Sequence, residues 1–129
     1  MTRQRIFTLE EARELLPELR TRLTALRDAW KAMAPYREEA RRLAQRVDEG
    51  GGTMTNAGLY LRSYRDLMRQ MKYFEKSGIA VKNISTGLVD FPSIREGRVV
   101  FLCWQMEEET ITHWHELETG FAARQPLED

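Results

Sequence analysis

His113 and His115, set two apart in His113-Trp114-His115-Glu116, are the side chains best suited to chemistry in this 129-residue chain. On a strand, residues i and i+2 share a face, so such a pair could offer two imidazole nitrogens to one metal, or an acid and a base to one ligand. Two ligands do not make a site, and spacing alone cannot choose a third among Asp90, Glu107 and Glu109. Asp90 stands between Val89 and Phe91-Pro92 in an apolar run, where a carboxylate is costly unless it is paired or faces solvent. His115 and Arg124 are its candidate partners. Asp90, His115, Glu116 and Arg124 thus form a polar group with two readings: an ion pair pinning the tail to a sheet, or a small-ligand or anion pocket beneath the tail.

Other chemistries find no support. The one cysteine, Cys103, excludes an internal disulfide and a zinc site built on cysteines, and inside VVFLCW it reads as a small buried hydrophobe. Ser85 and Ser93 occupy no nucleophile-elbow context, and phosphate-loop, dinucleotide and HExxH patterns are missing. No metal set, catalytic residue or cofactor can be closed from these residues.

The elements that must position these groups fall into two halves. Up to Lys76 there are 16 basic and 11 acidic residues, and beyond it 4 and 9, with a net charge of zero. At 42% hydrophobic and 31% charged residues the chain reads as one folded domain. The apolar run Val99 to Trp104 is too short to span a bilayer, and the N-terminus has no apolar signal core, so a cytoplasmic protein without membrane contact is expected.

Thr8-Leu9-Glu10-Glu11 has the capping-box pattern and places a helix start near Leu9, with Pro17 expected to end or kink a first segment or to open a new one. Apolar steps of three and four then run Leu16, Leu19, Leu23, Leu26, Trp30, Met33, Arg37, Ala40, Ala44, Val47. This is a heptad seam, flawed by Pro35 and Arg37, with a bend expected near Ala34. Gly50-Gly51-Gly52 stops it, and a second seam of Ala57, Tyr60, Tyr64, Leu67, Met71 and Phe74 predicts a helix ending near Gly78. The two should form an antiparallel hairpin, with Pro17 to Glu49 roughly 50 Å long against about 33 Å for Asn56 to Ser77. Helix two cannot cover helix one, so Leu9 to Leu26 must bury its leucines against a sheet or another subunit.

Beyond Gly78, short β-rich runs at Ile79–Ile84, Leu88–Ile94, Val99–Trp104 and Ile111–Glu116, with a two-residue turn at Glu96-Gly97, predict a three- or four-stranded antiparallel sheet. The fold class is α+β: a helical hairpin over residues 8–78, a sheet over 79–118 and a tail over 119–129. Leu23, Leu26, Trp30, Met33, Leu67, Met68 and Met71 make a large apolar area for a thin arm, which points to a homodimer, or to a protein partner, through the hairpin. Arg62, Arg65, Arg69, Lys72 and Lys76 form a basic stripe that could pair with Glu14, Glu18 and Asp28 of helix one or follow a polyanion. Zero net charge argues against a dedicated nucleic-acid binder.

The segments FTLEEARELLPELR, GLVDFP, GRVVFLCW and WHELETGFAARQPL resemble the uncharacterised bacterial family catalogued as domain of unknown function 2203. The resemblance covers nearly the whole chain and is most specific from Gly87 to Leu127. It implies one domain and draws Trp104 into the candidate cluster with Asp90, His115, Glu116 and Arg124. In that pattern a Gly-Glu turn follows the residue matching Trp104, where this chain has Gln105-Met106-Glu107-Glu108, and the single histidine matches His115. The family brings no activity with it. The leading expectation is therefore a non-enzymatic, homo-oligomeric interaction protein; the alternative is a small-ligand or metal-binding protein, or an enzyme, with its polar site around His115.

Overall fold

A computed structural model describes residues 5–47 and 57–127. Helix α1 (Leu9–Val47) and helix α2 (Ala57–Ser77) form an antiparallel hairpin packed on a five-stranded antiparallel sheet of strands β1 (Ala80–Asn83), β2 (Leu88–Arg95), β3 (Arg98–Gln105), β4 (His113–His115) and β5 (Gln125–Pro126), in that spatial order. The fold is α+β. The glycine triplet at residues 50–52 lies outside the described residues.

α1 starts where its capping box places it. The Glu11 amide donates to Thr8 Oγ1 at 3.0 Å, and the Thr8 amide donates to Glu11 Oε1 at 2.8 Å. Pro17 neither ends nor begins a segment: the helix runs through it and through Pro35. Both prolines are exposed, as are Arg13 and Lys31, so water can take the carbonyl that each leaves unbonded. Arg37, the charged residue in the seam, reaches back two turns. Its guanidinium donates to the Trp30 carbonyl at 2.9 Å and lies 4.0 Å from the centre of the Trp30 ring.

At 39 and 21 residues the helices measure about 58 and about 31 Å. Of the two shelters open to the surplus leucines, the sheet is the one used. Leu16, Leu19, Leu23 and Leu26 share one buried cluster with Phe7, Phe74, Val89, Phe91, Val100, Leu102, Trp104, Ile111 and Trp114. Arg22 of α1 meets the far end of α2, donating to Gln70 at 3.2 Å and lying 3.6 Å from the Tyr73 ring centre. The N-terminal segment adds a contact not foreseen from the sequence: the Phe7 amide donates to the Pro92 carbonyl at 2.8 Å, and Ser93 Oγ donates to the Phe7 carbonyl at 2.6 Å.

The β2–β3 hairpin turns at Glu96-Gly97, as the dipeptide predicts, and both residues adopt positive φ, 51° and 77°. Two positive angles give the tight turn whose twist matches antiparallel strands. The fifth strand lies in the segment read as a tail. Trp114 pairs with Gln125 and His113 with Pro126, and the Leu127 amide donates to the Thr112 carbonyl at 2.8 Å. A two-residue strand containing proline leaves almost no periodic signal, and Pro126 is tolerated because it lies at the sheet edge.

Candidate functional site

Alternation along the strands sends successive side chains to opposite faces of the sheet, and residues paired across strands to the same face. Val89, Phe91, Val100, Leu102, Trp104 and Trp114 face the helices. Asp90 pairs with Cys103, Cys103 with His113, and Phe101 with His115, so these five occupy the other face. The segment Leu117–Arg124 lies over that face, and a cavity of about 210 Å³ between them is lined by Lys82, Leu88, Asp90, Phe101, His115, Leu117, Thr119, Gly120 and Phe121.

Asp90 and His115 form the centre of the site, and both are fully buried. His115 Nδ1 is 2.7 Å from the Glu116 carbonyl and Nε2 is 3.0 Å from Asp90 Oδ2. A carbonyl can only accept, so Nδ1 carries a proton and donates it. Nε2 and Oδ2 are within hydrogen-bonding distance of each other. Asp90 Oδ1 is buried without a hydrogen-bond partner, one of two such side-chain atoms among the described residues, the other being Arg27 Nε. An orphaned buried acceptor costs about 1–3 kcal/mol, more when charged.

Cys103 is the residue that the sequence reading did not assign to the site. Its sulfur, a carboxylate oxygen of Asp90 and a ring nitrogen of His115 lie within 4.8 Å of one another. Burial, then the neighbouring Asp90 charge, pushes the Cys103 thiol up to about 11 despite opposition from Arg124. Arg124 Nη1 lies 3.9 Å from Sγ.

Arg124 is the partner of Glu108 and not of Asp90. Its two terminal nitrogens donate to the Glu108 carboxylate at 3.1 and 2.5 Å, with both side chains less than one-fifth exposed. Glu108 also accepts from the Gln105 amide at 2.8 Å. Burial alone would raise its pKa; the Arg124 hydrogen bonds, the Gln105 amide and the charges of Arg124 and His113 outweigh that and hold it below the ordinary carboxylate value. Glu108 is the second residue the sequence reading missed, because its position depends on the shape of the loop after Gln105.

The remaining candidates go elsewhere. Trp104 is on the opposite face, where its indole nitrogen donates to the Glu108 carbonyl at 3.0 Å and Arg20 lies 5.2 Å from its ring centre. Glu116 offers only its backbone carbonyl to His115, while its exposed side chain pairs with Arg98. His113 shares the face of His115 but stands outside the converging trio; its Nδ1 is 2.9 Å from the Thr112 hydroxyl. The expected polar group is thus two linked pairs, Asp90–His115 and Glu108–Arg124, with Cys103 between them.

The hairpin candidates divide by depth. Leu23, Leu26 and Met33 are buried in the chain's own core, Trp30, Leu67 and Met71 are half-buried, and Met68 is exposed. Instead of pairing with Glu14, Glu18 or Asp28, the basic stripe of α2 has one ion pair among the described residues, Arg69 with Asp66 of the same helix.

Comparison with known proteins adds a family and no more: no curated protein and no solved structure matches this chain. A family described as an uncharacterized conserved protein, DUF2203, matches residues 5–127. That span includes Asp90, Cys103, Glu108, His115 and Arg124 as well as both helices, and the chain belongs to this family.

Proposed function

We propose that the protein binds a small molecule in the cavity beneath Leu117–Phe121, held through a hydrogen bond donated to Asp90 Oδ1. The observation that carries this reading is the orphaned oxygen itself, a buried acceptor in a residue lining a cavity of mixed polar and apolar character. Leu88, Phe101, Leu117 and Phe121 suit an apolar body, and Lys82 and Thr119 suit an acceptor on the same molecule. At about 210 Å³ the cavity lies below the usual range for drug-sized ligands and suits a molecule of a few heavy atoms bearing an amide, amine or hydroxyl donor. Titrating the full chain with acetamide and with propylamine, followed by amide chemical shifts, should move the signals of Phe101, His115 and Gly120. The same titration of Asp90→Leu, which removes the acceptor, should leave them still, and equal responses in both proteins would end this reading.

A second reading, self-association, rests on a separate observation. Leu61, Tyr64 and Met68, spaced three and four apart on α2, are 52%, 45% and 45% exposed. Apolar side chains in such a line suit burial against a second copy. Light scattering should find a dimer that Met68→Glu converts to monomer, whereas a lone chain at high concentration would remove this reading.

A further inference from the structure

Resting on the reading that the cavity beneath Leu117–Phe121 is a binding site, we infer that two of its lining residues, Asp90 and His115, join Cys103 in holding one divalent transition-metal ion of the zinc class. Three strands converge on this point without sharing any local motif. Asp90 comes from β2, Cys103 from its pairing partner on β3, and His115 from β4. All three are buried, and the atoms each can offer lie within 4.8 Å of one another.

Ligand atoms about 2.0–2.3 Å from a tetrahedral ion stand roughly 3.3–3.8 Å apart, so the trio needs to draw together by only about an ångström. The second independent feature is Asp90 Oδ1, buried and unpartnered, on a residue that lines the cavity. A cation satisfies it more completely than a water can, and Oδ2, now committed to His115, becomes a further possible donor.

The outer contacts are those a metal-bound imidazole needs. His115 Nδ1 donates to the Glu116 carbonyl at 2.7 Å, which fixes the tautomer and leaves Nε2 as the ligating nitrogen. Arg124, held by Glu108, lies beside the sulfur and favours its thiolate. Charge also balances. A divalent ion enters, the ligands give up the protons it displaces, that of the thiol among them, and carboxylate, thiolate, neutral imidazole and ion sum to zero. A neutral assembly avoids the penalty of a net buried charge.

A thiolate, an imidazole and a carboxylate form a borderline-soft donor set that selects zinc-like ions over magnesium or calcium. Three protein ligands leave a fourth position, and since Asp90 and His115 line the cavity, the small molecule proposed above completes the coordination from there. A donor such as a hydroxyl or an amide fits that position as well as it fits the free oxygen. His113 is not required, which separates this assembly from the paired-histidine site that the sequence suggests.

Cobalt(II) is the probe, because a bound thiolate gives it a charge-transfer absorption that oxygen and nitrogen ligands do not. Titrating metal-free full-length protein should saturate at one ion per chain, show that absorption and be reversed by zinc. Cys103→Ser, which keeps the size of the side chain, should abolish the absorption and weaken binding by more than about 100-fold, beyond what losing an outer contact costs. His113→Gln should bind as the parent does. Binding that survives Cys103→Ser unchanged, or that His113→Gln abolishes, places the ion elsewhere and overturns the assignment. If cobalt and zinc fail to bind while acetamide or propylamine still requires Asp90, the metal falls and the cavity reading stands. If neither binds, both fall.

Discussion

The two faces of one sheet are buried by different means. On the face toward α1 and α2, Val89, Phe91, Val100, Leu102, Trp104 and Trp114 join the helix leucines in one apolar core. On the other, Asp90, Cys103 and His115 are equally buried, yet their cover is a short stretch of chain, Leu117–Arg124, with a single turn of 3-10 helix, Phe121–Ala123. Two helices can repay their ordering entropy by removing apolar area from water, at about 25 cal/mol per Å². A lid one chain thick has little such area, so directed bonds hold it: Arg124 to Glu108, and β5 to β4. The core face makes the protein stable, and the lid face buries its polar groups beside a cavity.

The largest test of this contrast is the loss of a core ring. Trp104→Ala removes a fully buried indole that also donates to the Glu108 carbonyl, and urea denaturation should show a loss of about 3–5 kcal/mol. Next is the lid face. His115→Phe strands the Asp90 carboxylate without a partner and should cost about 3 kcal/mol by the same measurement. Replacing both, Asp90→Leu with His115→Phe, should recover most of that loss. Full recovery together with lost binding would show that the pair is kept for function at the expense of stability.

Gly87 tests the link between turn and loop. It has φ of 68°, and a Cβ there would lie 2.7 Å from Met106 Cβ, so Gly87→Ala should cost about 1–3 kcal/mol. Thr8→Ala should cost only about 1 kcal/mol, through the lost cap.

Acid should separate the faces with a smaller effect still. The pKa of Glu108 is lowered on folding, so its stabilising contribution is complete above the unfolded value near 4.5 and is lost as pH falls through the lower folded value. Glu108→Gln should therefore lower stability at pH 7 and flatten its fall in acid, as followed by denaturation midpoints. A parallel fall in both proteins would show that the pair does not hold the lid.

Much of this architecture is legible in the order of residues. The capping box at Thr8, the three-and-four spacing of the leucines and the Glu96-Gly97 turn are local signals, each satisfied by neighbours within a few positions. The hairpin turn even carries one long-range contact, because counting equally back from Arg95 and forward from Arg98 sets Asp90 opposite Cys103. That count could have brought Cys103 into the site. The length of α1 correctly required a shelter for its leucines but could not choose between sheet and second subunit, since an apolar stripe says nothing about what covers it.

Sequence alone determined the two helices, the core hairpin of the sheet and the need to pair Asp90, because backbone hydrogen bonding and apolar periodicity act over a few residues. Tertiary structure decided that His115 and not Arg124 meets Asp90, that Arg124 turns to Glu108, and that Trp104 faces away from the site. Those choices depend on how β4 and the lid return across β3 after the irregular loop between Gln105 and His113. Loop shape follows from the packing of the whole chain, and no spacing rule encodes it.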